Sequence, residues 1–186
     1  MTRRDLPNLI TGLRILLVAP LAWALLSGHF AAALTLFVLA GVSDGIDGYL
    51  ARRFGWQSRL GALLDPLADK LLLVATYLAL GWLGFLPPSL VALVLGRDLV
   101  IVAGAVAYRL RFGRLDLAPS LLSKFNTVLQ IALALVAILS TGLGWLPGWS
   151  TELLIAAVFA STVLSGLHYV GVWSGRAWRE SRRNTL

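Results

Sequence analysis

The sequence predicts an all-α integral membrane bundle of six transmembrane helices with both termini on the cytoplasmic side. Three observations predict it. The first is composition: 58% of the 186 residues are hydrophobic and the mean hydropathy is +0.81, too apolar for a soluble domain of this size. The second is that apolar stretches near the ~20 residues needed to cross a hydrocarbon core recur along the chain. The third is that arginine collects in alternate breaks between them, as cytoplasmic loops do.

The spans run roughly 9–27, 30–51, 61–82, 88–109, 122–141 and 151–174. The start of the first imitates a signal peptide, with Thr2-Arg3-Arg4, an apolar run and then Ala31 to Ala33. Arg14 interrupts that run and apolar sequence follows without a polar domain, so the expectation is an uncleaved first helix. The breaks are Ser27-Gly28-His29, the turn at 52–60, Gly84 to Pro88, the stretch RLRFGRLD at 109–116, and Gly142 to Ser150. No long hydrophilic insert divides the chain, so residues 1–186 are expected to form a single domain.

Charge sets the expected orientation. Arg3, Arg4, Arg52, Arg53, Arg59, Arg109, Arg111, Arg114, Arg176, Arg179, Arg182 and Arg183 lie at the termini or after even-numbered spans, and the three other loops hold no Lys or Arg. Trp82, Trp145 and Trp149 fall at the opposite interface, where aromatic belts form. The formal net charge of +7 then reads as topology charge rather than a nucleic-acid surface, and no nucleic-acid partner is expected. The absence of cysteine removes disulfides, thiolate metal sites and cysteine nucleophiles.

Residues 44–69, DGIDGYLARRFGWQSRLGALLDPLAD, break the apolar pattern with Asp44, Asp47, Asp65 and Asp69. The pairs are spaced i, i+3 and i, i+4, so on helices each pair shares a face. A helical hairpin would bring all of them together near its cytoplasmic tip. Acids at the centre of a membrane helix cost roughly 2.5–3.5 kcal/mol each on insertion scales, and a divalent cation offsets that cost. Buried ion pairs with Arg14, Arg52 and Lys70 would also offset it, but would leave the fixed glycine spacing unexplained. Intramembrane acids also mark ion paths, so a proton- or cation-coupled transporter is the reading of another class. Their clustering at one edge, and the lack of paired interrupted helices, count against it.

Asp44, Asp47, Gly48, Ala51, Arg52, Gly61, Asp65 and Asp69 fit D-x2-D-G-x2-A-R-x8-G-x3-D-x3-D without departure. In this the chain resembles the CDP-alcohol phosphatidyltransferase family. PNLITGLR at 7–14 looks like the family's first membrane helix, and Arg97-Asp98 with SKFNTVLQ at 123–130 resembles its glycerophospholipid branch. Pro119 followed by Ser-Lys-x-Asn-Thr-x-x-Gln looks more like CDP-diacylglycerol-dependent cardiolipin synthases than phosphatidylglycerophosphate synthases. The resemblance implies transfer of a phosphatidyl group from CDP-diacylglycerol to phosphatidylglycerol, or to glycerol 3-phosphate, with release of CMP. It implies Mg2+ or Mn2+ held by Asp44, Asp47 and Asp65, with Asp69 as general base that also touches metal. It further implies CDP-diacylglycerol contacts from Asn8, Thr11, Gly48, Arg52, Ser58 and Gly61, and a homodimer surrounded by membrane lipids.

For the acceptor's phosphate the expected contacts are Arg97 and Lys124, assisted by Arg111 and Arg114. Arg97-Asp98 also reads as a self-compensating pair, and Lys70 as either a snorkelling lysine or a phosphate contact. Asn126, Thr127 and Gln130 suit hydrogen bonds between helices, and Gly41 with Gly45 suits close helix packing. Ser58 reads equally as a cap, and His29 and His168 as interfacial or packed side chains.

Overall fold

The computed structural model describes residues 6–54, 61–112 and 120–183, with the backbone alone described at 6–9, 47, 50–52, 61–66, 105–112, 170 and 172–183. The described residues form six α-helices and no strand: α1 Leu6–Leu26, α2 Phe30–Phe54, α3 Gly61–Trp82, α4 Pro88–Phe112, α5 Leu121–Ala137 and α6 Gly148–Arg183. A π-helical turn, Ile138–Gly142, continues α5. Each predicted span thus finds one helix. The last runs beyond 174 because its tail, GRAWRESRR at 175–183, is dominated by arginine, a good helix former, after the apolar pattern ends. By length and composition Leu121–Gly142 and Gly148–Tyr169 can cross a membrane, and Ile10–Leu26 and Phe30–Ile46 are shorter apolar helices. Charges embedded in α2, α3 and α4 lower their apolarity.

The turns after α1 and α3 close in the same way. His29 N–H donates to the Ala24 carbonyl at 2.8 Å and Gly28 N–H to Leu25 at 3.0 Å. Phe85 N–H donates to Leu80 at 2.9 Å and Gly84 N–H to Gly81 at 3.1 Å. These paired bonds satisfy the last helical carbonyls and need a left-handed residue, supplied by Gly28 and Gly84 at φ of 75° and 76°.

The helices gather in two compact units. In the first, α1 packs along both α2 and α3. Its core sets large side chains (Leu21, Leu25, Phe37, Leu72, Tyr77, Leu80) against buried Ala24, Ala33, Ala40 and Ala68, and such small residues let helix backbones approach. Phe30, opening α2, lies against Phe85 with ring centroids 5.4 Å apart. Gly142, in the π turn, is needed for close approach: a Cβ there would stand 2.8 Å from Phe30 Cγ. Gly41 and Gly45 do not play the packing role expected of them, because a Cβ at either would meet nothing within 4 Å among the described residues. Both lie on the exposed side of α2.

The second unit comprises α4, most of α5 and α6. Its core mixes Leu90, Val94, Leu133 and Val158 with buried Arg97, Asp98, Asn126, Ser161, Thr162 and Ser165. Asn126 bonds between helices as expected, its Oδ1 accepting from Ser161 Oγ at 2.7 Å and Thr162 Oγ1 at 2.9 Å. Thr127 instead donates to the Ser123 carbonyl of its own helix at 3.1 Å, the usual local alternative for a helical threonine. Outside, both units expose large apolar side chains, including Leu16, Trp82, Leu99 and Leu121.

Candidate active site

Three helices of the first unit build the site. α1 carries Asn8, Thr11 and Arg14; α2 carries Asp44, Asp47, Gly48 and Arg52; α3 carries Gly61, Asp65 and Asp69. Thr11 and Arg14 are one turn apart and both fully buried. From that buried position Arg14 Nη1 reaches Asp44 Oδ1 at 2.7 Å and Asp69 Oδ1 at 2.8 Å. Residues 25 apart on neighbouring helices thereby converge on one nitrogen atom. The arginine side chain is 1% exposed, whereas Asp44 is 42% and Asp69 50% exposed. The anchor is therefore inside the bundle and the carboxylates reach the surface.

The contact unites a signature acid of α2 with one of α3, as the hairpin reading expects. Gly48 is half-buried on α2. The side chains of Asp47, Asp65, Arg52, Asn8 and Arg111, and the surroundings of Gly61, lie outside the described residues, as do Ser58 and Arg114 entirely. Among the described residues no three His, Cys, Asp or Glu gather at one point. The donor chemistry present nevertheless fits a hard dication. Asp44 and Asp69 offer carboxylate oxygens at adjacent points, and Mg2+ and Mn2+ favour such ligands.

Arg14 is the site residue least expected from the sequence. In the sequence it reads as an interruption of an apolar run, as the last residue of PNLITGLR and as one of three alternative ion-pair partners. The available signal was that interruption itself, since a charge inside a membrane helix requires a partner.

The second unit holds the cationic residues expected to meet the acceptor. Arg97 is buried, and its Nη1 donates to Asp98 Oδ1 at 2.8 Å. Its Nη2 donates to Ser123 Oγ on α5 and Ser165 Oγ on α6, both at 2.6 Å. The guanidinium also lies 5.8 Å from the Tyr169 ring centroid, within cation–π range. The self-compensating pair is thus present, and Arg97 joins three helices. Lys124, next to Ser123 in the first turn of α5, is exposed.

Helices that bury an arginine and bring half-exposed carboxylates to it, inside an apolar exterior, define a helical-bundle protein with a charged site on membrane-type helices. The CDP-alcohol phosphatidyltransferase model matches residues 4–166, and the chain belongs to that family. It is 34% identical over 181 residues to the "cardiolipin synthase (CMP-forming) / mitochondrial hydrolase fusion protein" of Schizosaccharomyces pombe, covering 88% of this chain and 30% of that one. It is 34% identical over 193 residues to the chloroplastic CDP-diacylglycerol–glycerol-3-phosphate 3-phosphatidyltransferase 1 of Oryza sativa subsp. japonica, covering 89% and 57%. To the CDP-diacylglycerol–glycerol-3-phosphate 3-phosphatidyltransferase of Cereibacter sphaeroides it is 35% identical over 169 residues, covering 87% and 76%. The chain therefore spans less than two thirds of the length of the yeast and rice relatives.

Proposed function

We propose that the chain is a multi-pass membrane enzyme that transfers a phosphatidyl group from CDP-diacylglycerol to a glycerol-type alcohol, releasing CMP. The observation that carries this is the meeting of Asp44 and Asp69, two acids of the family signature, at Arg14 Nη1. The apolar exterior supports a six-span arrangement, and the arginine distribution supports cytoplasmic termini and a cytoplasmic site.

In this reading Asp44, Asp47, Asp65 and Asp69 would hold Mg2+ or Mn2+, which when bound supplies charge neutralisation to the pyrophosphate and the leaving phosphate. Asp69 takes the proton from the acceptor hydroxyl as its oxygen attacks the lipid-side phosphorus. The new phosphorus–oxygen bond forms as the bridge to CMP breaks, and CMP departs with the bridging oxygen. Arg52 pairs with the nucleotide's phosphate through its planar fork. Gly48 leaves room beside it, and Asn8, Thr11, Ser58 and Gly61 hold cytidine and pyrophosphate.

The preferred acceptor is phosphatidylglycerol, giving cardiolipin, on the strength of Pro119 and the Ser-Lys-x-Asn-Thr-x-x-Gln stretch. Glycerol 3-phosphate is the second reading, because relatives named for that acceptor match this chain at the same identity. Lys124, Arg97, Arg111 and Arg114 serve the acceptor's phosphate, and the working form is a homodimer. The test uses purified protein in detergent with labelled CDP-diacylglycerol, Mn2+ and each acceptor separately, with products identified by mass. Metal-dependent CMP release with cardiolipin as product is expected. Phosphatidylglycerophosphate as the main product would select the second acceptor, and CMP release that survives complete chelation would defeat the metal reading.

A further inference from the structure

Arg14 enters the site through a geometry that the proposed reaction does not itself require. Its contacts to Asp44 and Asp69 leave the same nitrogen, Nη1, and each ends on an Oδ1. The two oxygens are thus no farther apart than the sum of a 2.7 and a 2.8 Å contact. A hard dication with ligands at about 2.0–2.1 Å needs oxygens no more than about 4 Å apart, which that bound admits. The arginine is buried and the acids are half-exposed, so the guanidinium is held from within while a cation arriving from solvent meets the carboxylates from outside. An unpaired guanidinium at that depth is strongly disfavoured. Arg14 therefore has a stake of its own in these oxygens.

We propose that Arg14 is an internal counter-cation of the acid site. It holds Asp44 and Asp69 together and competes with the dication for their oxygens, and in doing so sets how tightly the site takes metal. This rests on the dication reading given above. Two consequences distinguish it from a purely structural arginine. Removing the charge weakens the apo protein, because two neighbouring carboxylates lose their common cation. It also strengthens metal binding, because the dication no longer faces a positive charge in contact with both ligands. A residue that merely preorganised the acids would do the reverse to metal affinity.

The experiment compares wild type, Arg14→Gln and Arg14→Lys, purified in detergent and shown to be monodisperse. Mn2+ binding is titrated by the electron paramagnetic resonance signal of the free ion, and thermal unfolding is followed with and without Mn2+. Arg14→Gln should melt lower than wild type without metal, bind Mn2+ about tenfold more tightly, within the usual range for coupled sites, and show the larger Mn2+-induced rise in Tm. Arg14→Lys keeps a charge but loses the guanidinium's reach, and should fall between. Should Arg14→Gln give no folded protein, tighter Mn2+ binding by Arg14→Lys than by wild type carries the proposal. Binding that is equal to or weaker than wild type in the folded variants overturns the role of Arg14 alone. Absence of Mn2+ binding in all three proteins overturns it together with the dication reading.

Discussion

Asp69→Asn should separate the chemistry of the site from its construction. The asparagine carbonyl can still accept from Arg14 Nη1, which lies 2.8 Å from Asp69 Oδ1, and Arg14 keeps its contact to Asp44 at 2.7 Å. What is lost is one charge of an ion pair whose acid is 50% exposed. Solvent screening holds such pairs to about 0.2–1 kcal/mol, and 1 kcal/mol moves Tm by about 2–4 °C in a chain of this size. Loss of a general base costs about 10²–10⁴-fold in rate, equivalent to about 3–5 kcal/mol of barrier. The chemical effect should therefore exceed the folding effect severalfold. The assay is CMP release at saturating substrates, with the melting curve and CDP-diacylglycerol binding measured on the same preparation. A turnover loss of only a few-fold would remove Asp69 from the role of base. Lost nucleotide binding with an unchanged melt would reassign it to holding metal.

Other consequences follow from particular contacts. Lys124→Ala, at an exposed position, should raise the acceptor's KM and leave kcat and CDP-diacylglycerol affinity nearly unchanged, as loss of uniform binding does; a fall in kcat at constant KM would contradict it. Gly142→Ala pushes a Cβ to 2.8 Å from Phe30 Cγ, and overpacking of this kind costs about 1–3 kcal/mol; an unchanged melting temperature would show that the π turn yields freely. Asn126→Leu removes the shared acceptor of Ser161 and Thr162; Ser161 Oγ keeps the Val158 carbonyl at 3.2 Å, so the cost falls on the buried Thr162 hydroxyl, about 1–3 kcal/mol. The melt should drop clearly; an unchanged melt would show that the Thr162 hydroxyl finds another acceptor.

The helices and the acid pairs were readable in the sequence because both depend on local spacing. Apolar length marks the spans, and the signature spacing puts acids on the helices that flank one turn. The pairing of Arg14 with Asp44 and Asp69 depends on which helices neighbour α1 and how each is rotated, and no local pattern encodes that. Arg97-Asp98 shows the same limit. The adjacent pair could be read directly, but Ser123 and Ser165, 26 and 68 residues further on, carry no periodic signal that would mark them as its partners. Gly41 and Gly45 show the converse failure: their spacing suits close helix packing, yet they lie on the open side of α2. The i, i+4 pattern is necessary for such packing and does not choose the face.

Among the described residues each unit buries one arginine, and the difference between their partners assigns their work. Arg97 meets an acid only 10% exposed, two serine hydroxyls and an aromatic ring. Its charge is compensated inside the bundle, and what it contributes first is the joining of α4, α5 and α6. Arg14 is buried still more deeply, but its carboxylate partners are 42% and 50% exposed. Those acids can exchange a contact with Arg14 for one with an incoming cation or hydroxyl without unfolding anything around them. Asp98 has no comparable route to solvent. The reactive arginine–carboxylate cluster is therefore the one on α1, α2 and α3, and an anion reaching Arg97 would have to share a guanidinium that three side chains already hold.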